Sequence, residues 1–565
     1  MPQLRYKYCF ITTFNLWNKP PSSAYPLAIL LCIPQRWQPD FPVDYFWKID
    51  VITTKKFTDE LVPLKTFLQF ARAIVSPLFP HSLKNIVHLS HTIFITIIFC
   101  CLAGKANATA PNIIIFFADD LGYGDVGYQG GDLPTPHIDS IAHNGVRFTD
   151  GYVTCPVCAP SRAGLLTGRY QQRFGFSDNP GPYQRVGAPY VGIPPSQPIL
   201  AERLQTLGYV TGIFGKTHDG VAEEQMAFTR WDEFFGFNNG ASNYLTELNR
   251  SHNPIFHNRD ILSHSAATQK NPRADLLDNG VIHARNIKYL TDSIGDAAVS
   301  FIKSHKQSSF LCYIPFNAIH GPFQAPQRLV NRFSDEPDEN RRLVKAMLYS
   351  LDQNVGKVIQ CVRNNNLMSR TLIIFLSDNG GHDFSPNTPL RGKKGTMWEG
   401  GIRVPFCMQW QGIIPAESTY RFPVSSLDIL PTALAAAEGT ITPDWELDGV
   451  NLLPYICEEN ASEERPHNEL YWSLGPRVAI RDFDYKLVSN DSKTYHLFDL
   501  KNDGSEKENL IDSKPALANR LRKKLENWKN SLPPNNSGWN PQIGPKRPDF
   551  GSPQSYHQLP SIASP

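Results

Sequence analysis

Four short apolar runs, rich in β-branched and aromatic residues, punctuate the chain after Pro111: Asn112–Phe117 (NIIIFF), Tyr209–Phe214 (YVTGIF), Phe310–Ile314 (FLCYI) and Thr371–Leu376 (TLIIFL). Unbroken apolarity, rather than alternation, marks strands buried on both faces, and longer mixed segments with helical spacing separate the runs. The pattern predicts an α/β protein built on parallel strands. Shortly after each run come polar groups of catalytic type: Asp119 and Asp120, Lys216 and His218, His320, and Asp378 and Asn379. Ligand sites in open parallel sheets lie beyond the carboxyl ends of the strands, so these groups are expected to converge on one cleft.

Near Gly439 the pattern changes. Val478–Val488 followed by Tyr495–Leu500 reads as antiparallel strands joined by a turn, and Ala516–Leu532 carries Leu517, Leu521, Leu525 and Trp528 as one helical stripe suited to cover them. The expected organisation is a catalytic domain over 109–439, a smaller α+β unit over 440–532, and a disordered Pro/Asn/Ser/Gly-rich tail over 533–565. At the other end, Thr92–Gly104 (TIFITIIFCCLAG) lies between Lys84 and Ala106-Asn107-Ala108. A cationic start, a short apolar run and an A-x-A site read as a signal peptide over 83–108, cleaved after Ala108. The run is short of the about 20 residues that span a bilayer, so export to a periplasm or outside the cell is expected, with no stable membrane span after cleavage. Residues 1–82 show no sustained period and read as an untranslated or disordered extension, with Leu83 as a non-Met start.

Composition narrows the chemistry. Of 565 residues 41% are hydrophobic and 19% charged, with a formal net charge of +2. That is globular, and it lacks the basic surface of a nucleic-acid binder, while leaving a small anionic substrate open. Ten cysteines in this length do not make a disulfide framework, and no Cys/His set has zinc-finger spacing.

Cys158-Ala159-Pro160-Ser161-Arg162, followed by Leu166-Thr167-Gly168, fits C-x-P-S-R-x4-T-G. In this motif the chain resembles the type I, formylglycine-dependent sulfatases of the alkaline phosphatase superfamily, and the resemblance runs from about Pro111 to Leu532. The local physics agrees. Pro160 suits a first helical turn, which puts position 158 at a helix amino terminus where free N–H groups favour an oxyanion. Arg162, four residues on, shares the face of position 158. The adjacent acids Asp119 and Asp120 repel one another unless a cation neutralises them. With Asp378 and Asn379 they form an oxygen-rich set suited to a hard divalent ion rather than zinc.

The resemblance implies more. The fold would be a large mixed, mostly parallel sheet flanked by helices. Cys158 would be oxidised to Cα-formylglycine by a formylglycine-generating enzyme, and one Ca2+ would be held by Asp119, Asp120, Asp378, Asn379 and the modified Cys158. Gly215-Lys216-Thr217-His218 resembles the family's G-K-W-H segment, with Thr217 and Asp219 in place of the usual Trp and Leu. Asn317-Ala318-Ile319-His320 resembles the loop of a second histidine, and aligning on G-T-x-W-E-G-G selects Lys394 rather than Lys393. Cys155 reads as a packing residue. In the implied reaction a hydrated aldehyde at position 158 attacks sulfur, His320 or Lys394 protonates the leaving alcohol, and His218 takes the proton that lets sulfate depart.

The expected activity is therefore sulfate ester hydrolysis, on a sulfated small molecule or carbohydrate. A phosphoester or phosphonate ester hydrolase of the same superfamily and a non-catalytic sulfatase-like binding protein are the alternatives. Loops at Phe174–Val191 and Asn238–Asn258, aromatic and rich in Asn, Pro and Gly, are expected to line the rim.

Overall fold

The run at Asn112–Ala118 lies at the middle of a sheet with every side chain buried, as its unbroken apolarity requires. The computed structural model describes residues 110–179, 192–219, 230–237, 240–245, 289–457 and 464–533, plus the backbone of short strands at Cys9–Thr13, Ala28–Cys32 and Phe256–His257. Two units are distinguished, Met1–Ala106 and Asn107–Pro565. In the first, β1 (Cys9–Thr13) and β2 (Ala28–Cys32) pair antiparallel. The rest of the 1–82 extension, the signal peptide expected over 83–108 and the tail beyond Pro533 lie outside the described residues.

The second unit is built on β3 (Asn112–Ala118), β4 (Val146–Phe148), β5 (Gly151–Tyr152), β6 (Val210–Lys216), β7 (Glu233–Phe237), β8 (Phe256–His257), β9 (Phe310–Pro315), β10 (Thr371–Ser377), β11 (Phe406–Gln409), β12 (Ser418–Tyr420) and β13 (Val424–Ser425). Nine of these form one sheet in the order β12-β4-β11-β10-β3-β9-β6-β7-β8, and β5 pairs with β13 alongside. The central five, β10-β3-β9-β6-β7, run parallel, while β11 and β8 are antiparallel to their neighbours. The fold is thus a mixed, mostly parallel sheet flanked by helices, as expected. All four apolar runs are strands, and β6 continues two residues past the expected Phe214 because Gly215 and Lys216 still pair with Gly236 and Phe237.

Side chains of β3 alternate between two cores. Ile114, Phe116 and Ala118 meet helices α1 (Pro136–His143), α4 (Leu290–His305) and α5 (Glu339–Asn364). Ile113, Ile115 and Phe117 meet α2 (Cys158–Thr167), α3 (Leu200–Gln205) and α6 (Ile429–Ala436) on the other face.

The carboxy-terminal part is an antiparallel meander, β14 (Glu469–Leu474), β15 (Arg477–Asp482), β16 (Tyr485–Ser489) and β17 (His496–Asp499). Helix α7 (Pro515–Asn530) lays Leu521, Leu525 and Trp528 over Val478, Ile480, Leu487 and Leu497. The opposite face, with Trp472, Val488 and Phe498, packs on Tyr152, Met397 and Ile402, so this sheet adjoins β5 and the segment before β11 directly.

Candidate active site

Strand register assembles the site. Because β10 and β3 run parallel with Ser377 opposite Ala118, the next residues, Asp378 and Asp119, emerge side by side, and the Asp378 N–H donates to the Ala118 carbonyl at 3.0 Å. The segment after β9 folds back on Asp119, whose N–H donates to Ala318 O at 2.9 Å while Ile319 N–H donates to Asp119 O at 2.8 Å. That brings His320 beside Asp120, with Nε2 3.7 Å from Oδ2. Strand β6, next to β9, ends in Lys216, whose Nζ lies 2.5 Å from Asp119 Oδ2. Asp120 and His218 both turn through left-handed backbone, at φ 64 and 49, a conformation side chains rarely adopt and one that clusters at functional sites.

Helix α2 supplies the candidate nucleophile. Cys158 is its first residue, preceded by extended Val157, and Gly168 at φ 64 closes the helix. The Ala159 N–H donates to Asn179 Oδ1 at 2.9 Å. One turn on, fully buried Arg162 donates to Asp378 Oδ2 from Nε (3.0 Å) and Nη2 (2.6 Å), and to the Lys216 carbonyl from Nη1 (2.8 Å).

The lysine loop completes the arrangement. Gly380 must be glycine here, since a Cβ would sit 1.8 Å from the Gly400 carbonyl where the two loops cross. The Lys394 N–H donates to Gly381 O at 2.9 Å, and its Nζ reaches Asp120 Oδ1 at 2.6 Å and Cys158 Sγ at 3.4 Å. Lys393 instead pairs with Asp383 at the surface. Asn379 Nδ2 donates to Asp120 Oδ1 at 2.8 Å and His218 faces Cys158, so all ten residues picked from the sequence are brought together: Asp119, Asp120, Cys158, Arg162, Lys216, His218, His320, Asp378, Asn379 and Lys394.

The acidic group adjusts to this crowd of charges. Burial alone would raise the Asp120 carboxyl, but Lys394 and His320 hold it well below the usual range. Burial, followed by the neighbouring charge of Asp119, pushes Asp378 up to about 6 despite Arg162. Burial would also raise the Cys158 thiol, yet Lys216 and Lys394 outweigh it and favour the thiolate. Burial, with help from Lys216, lowers His218 to about 4, so it is neutral at physiological pH although it faces Cys158. His320 moves up: burial and Lys394 oppose its charge, but Asp120 and Asp119 prevail.

A metal ion suits this set. Among the described residues, Asp119, Asp120, Cys158 and His320 place ligand atoms within 4.8 Å of one another. Asp119 Oδ1 and Asn379 Oδ1 are buried and accept no hydrogen bond, and such orphaned oxygens are what a hard cation would satisfy. Asp378 is turned toward Arg162 and the Asp120 N–H (3.2 Å).

Three features went unread in the sequence. His382, just past the Asp378-Asn379-Gly380-Gly381 turn, lies within electrostatic reach of Asp120, His320 and Lys394, its ring against Phe323 at 5.0 Å. Its only signal is position, three residues after Asn379. Tyr244, expected at the rim, is wholly buried, and its hydroxyl donates to the Asn317 and His320 carbonyls, pinning the His320 loop. Phe176, also expected at the rim, is core. Residues 180–191, 238–239, 246–255 and 258 of those segments lie outside the described residues. Cys155 packs against the carboxy-terminal sheet, and Cys155, Cys158, Cys312, Cys361, Cys407 and Cys457 are free thiols.

Comparison with known proteins places this geometry. The Sulfatase family model matches residues 111–440, and the N-sulphoglucosamine sulphohydrolase C-terminal model matches 392–531. Arylsulfatase J of Mus musculus is 32% identical over 361 residues, which span 63% of this chain and 57% of that protein. Arylsulfatase A of Bos taurus is 32% identical over 479 residues, 75% of this chain and 88% of the relative. The solved structure of Ps i-CgsB is 31% identical with a TM-score of 0.67, covering 75% of this chain and 94% of that one, and the same protein has been solved in complex with k-i-k-neocarrahexaose. With more than half its length matched by one family model, and its site built at the sheet's carboxyl edge, the chain belongs to the sulfatase family of sulfuric ester hydrolases in the alkaline phosphatase superfamily.

Proposed function

We propose that the chain hydrolyses sulfate esters of sulfated carbohydrates, with one Ca2+ held by Asp119, Asp120, Asp378, Asn379 and residue 158, and with Cys158 converted to Cα-formylglycine by a formylglycine-generating enzyme. The observation that carries this reading is Cys158 itself: buried at the start of α2, flanked by Lys216, Lys394 and His218, and adjoining an acidic cluster with orphaned oxygens. Calcium would supply a fixed positive charge beside the sulfate oxygens. A hydrated aldehyde at 158 would supply an oxygen nucleophile with a second hydroxyl to release the product.

Around that centre the protein's own groups divide the work. Lys216, fully buried, and Lys394, partly so, face the charge that builds on the sulfate oxygens. Arg162, clamped on Asp378, holds that carboxylate in place. His320, favoured in its charged form, gives a proton to the departing alcohol, with Lys394 as the other candidate. His218, kept neutral, accepts one. The sugar assignment is supported by the saccharide complex of Ps i-CgsB. Among the described residues no helix is long and apolar enough to cross a membrane, and we propose export with mature residue Thr109 first.

Two assays test the reading. Holoenzyme should turn over 4-nitrophenyl sulfate faster than bis-4-nitrophenyl phosphate, and the peptide spanning Gly151–Arg162 should carry an aldehyde in place of the thiol. An unmodified thiol in fully active protein, or preference for the phosphodiester, would overturn it.

A further inference from the structure

We propose that the carboxy-terminal sheet positions Lys394 through a buried charge network centred on Lys486. Lys486 projects from β16 with no exposed surface, its Nζ 2.8 Å from Glu399 Oε1 and 2.9 Å from Glu506 Oε1. Glu399 opens the short helix Glu399–Ile402 that follows the lysine loop, and its N–H donates to Glu506 Oε2 at 2.7 Å. Its other oxygen accepts from the Tyr152 hydroxyl at 2.6 Å and faces Arg403 at 3.4 Å. Arg403 and Arg481 in turn meet Asp150, at 3.3 and 2.6 Å.

The network balances in formal charge, with Glu506 pushed up to about 7 by burial and by Glu399 beside it. Three carboxylates, Glu399, Glu506 and Asp150, face three cations, Lys486, Arg403 and Arg481. Deleting one member of a buried ionic set is strongly destabilising, because the partner left behind cannot be resolvated. Removing Lys486 would leave Glu399 and Glu506 against each other at the root of the lysine loop.

The loop is also tied along its length. Arg391 donates to the Glu506 carbonyl at 3.0 Å, Ser505 to the Pro389 carbonyl at 2.8 Å, and the Met397 N–H to Asn490 Oδ1 at 2.8 Å. The Arg391 guanidinium lies 3.8 Å over the Trp398 ring, which meets Phe498 of β17 at 5.8 Å. Lys394 is held between this scaffold and the Gly381 carbonyl, so its reach to Asp120 and Cys158 depends on a sheet that holds none of the ten site residues. Lys486 is a positioning residue acting through Lys394.

This rests on reading Lys394 as a cation of the active site, and a double-mutant cycle on purified holoenzyme separates the two claims. With 4-nitrophenyl sulfate, Lys486→Met should lower kcat/KM at least about tenfold when Lys394 is present and less than about twofold in a Lys394→Ala background. Glu506→Gln added to Lys486→Met removes the stranded charge and should recover most of the loss, and it serves in the same cycle if Lys486→Met alone does not fold. Equal losses in both backgrounds, or no loss beside Lys394, would overturn the proposal for Lys486. Full activity of Lys394→Ala would overturn the reading of Lys394, and this one with it.

Discussion

Position 158 sits where two lysines, a neutral histidine and a helix amino terminus meet, so its chemistry can be tested with small changes that spare the core. Cys158→Ala should abolish turnover while melting at nearly the wild-type temperature. Cys158→Ser is sharper: its hydroxyl can attack a sulfate ester, but the serine sulfate has no neighbouring hydroxyl to expel it. In a host that leaves serine unmodified, at most one turnover and a trapped adduct should appear by rapid quench and mass spectrometry; sustained turnover would reject the second-hydroxyl mechanism. For the metal, Asp119→Ala and Asp378→Ala should each remove calcium and activity together by titration calorimetry, since each deletes a hard oxygen and part of the balancing charge. Normal calcium stoichiometry in both would refute the ligand assignment. At this scale the site was legible because its residues travel in spaced groups: C-x-P-S-R, the paired acids, Asp-Asn-Gly-Gly. His382 and Tyr244 were not, because a lone histidine or a tyrosine in a polar loop carries no spacing that separates a site position from a surface one.

Elements were legible where burial on both faces left an uninterrupted apolar run, as in β3 and β10. The short strands β4 and β12 have only three residues each, too few to set a period, and β14, an edge strand, alternates buried with half-buried positions. Helix α1 shows a different limit, since what starts it lies far away in the chain: Asp352 of α5 accepts from the His137 and Ile138 N–H groups at 3.0 and 2.9 Å. Burial pushes Asp352 up to about 7, well above its unfolded value, so the native state holds the extra proton between the two. Stability from this group is therefore lost as pH rises from about 4 to about 7. Asp352→Asn keeps an acceptor and does not titrate, so it should gain about 4 kcal/mol on wild type between about pH 4 and about pH 8 in urea melts. A difference that does not change with pH would refute this. In the carboxy-terminal unit, Leu521 is fully buried beneath α7, and Leu521→Ala should cost about 3 kcal/mol in the same assay. A cost under about 1 kcal/mol would mean that α7 is not a working part of that core.

At the scale of the whole molecule, four neighbouring parallel strands each deliver one piece of the cleft, from Asp378 after β10 through Asp119 after β3 and His320 after β9 to Lys216 at the end of β6. That convergence follows from topology alone, whereas the grip of the carboxy-terminal sheet on the lysine loop depends on long-range pairs such as Lys486 and Glu399 that no local pattern announces. Calcium binding only the folded form should raise Tm, and chelation should lower it. The central claim is that this cleft releases sulfate from sugars. The most direct measurement is inorganic sulfate freed from a panel of sulfated mono- and polysaccharides by one holoenzyme preparation, beside phosphate freed from the matching phosphate esters. The account predicts continuous sulfate release that stops on chelation and returns with calcium; release of phosphate with no sulfate from any member of the panel would contradict it.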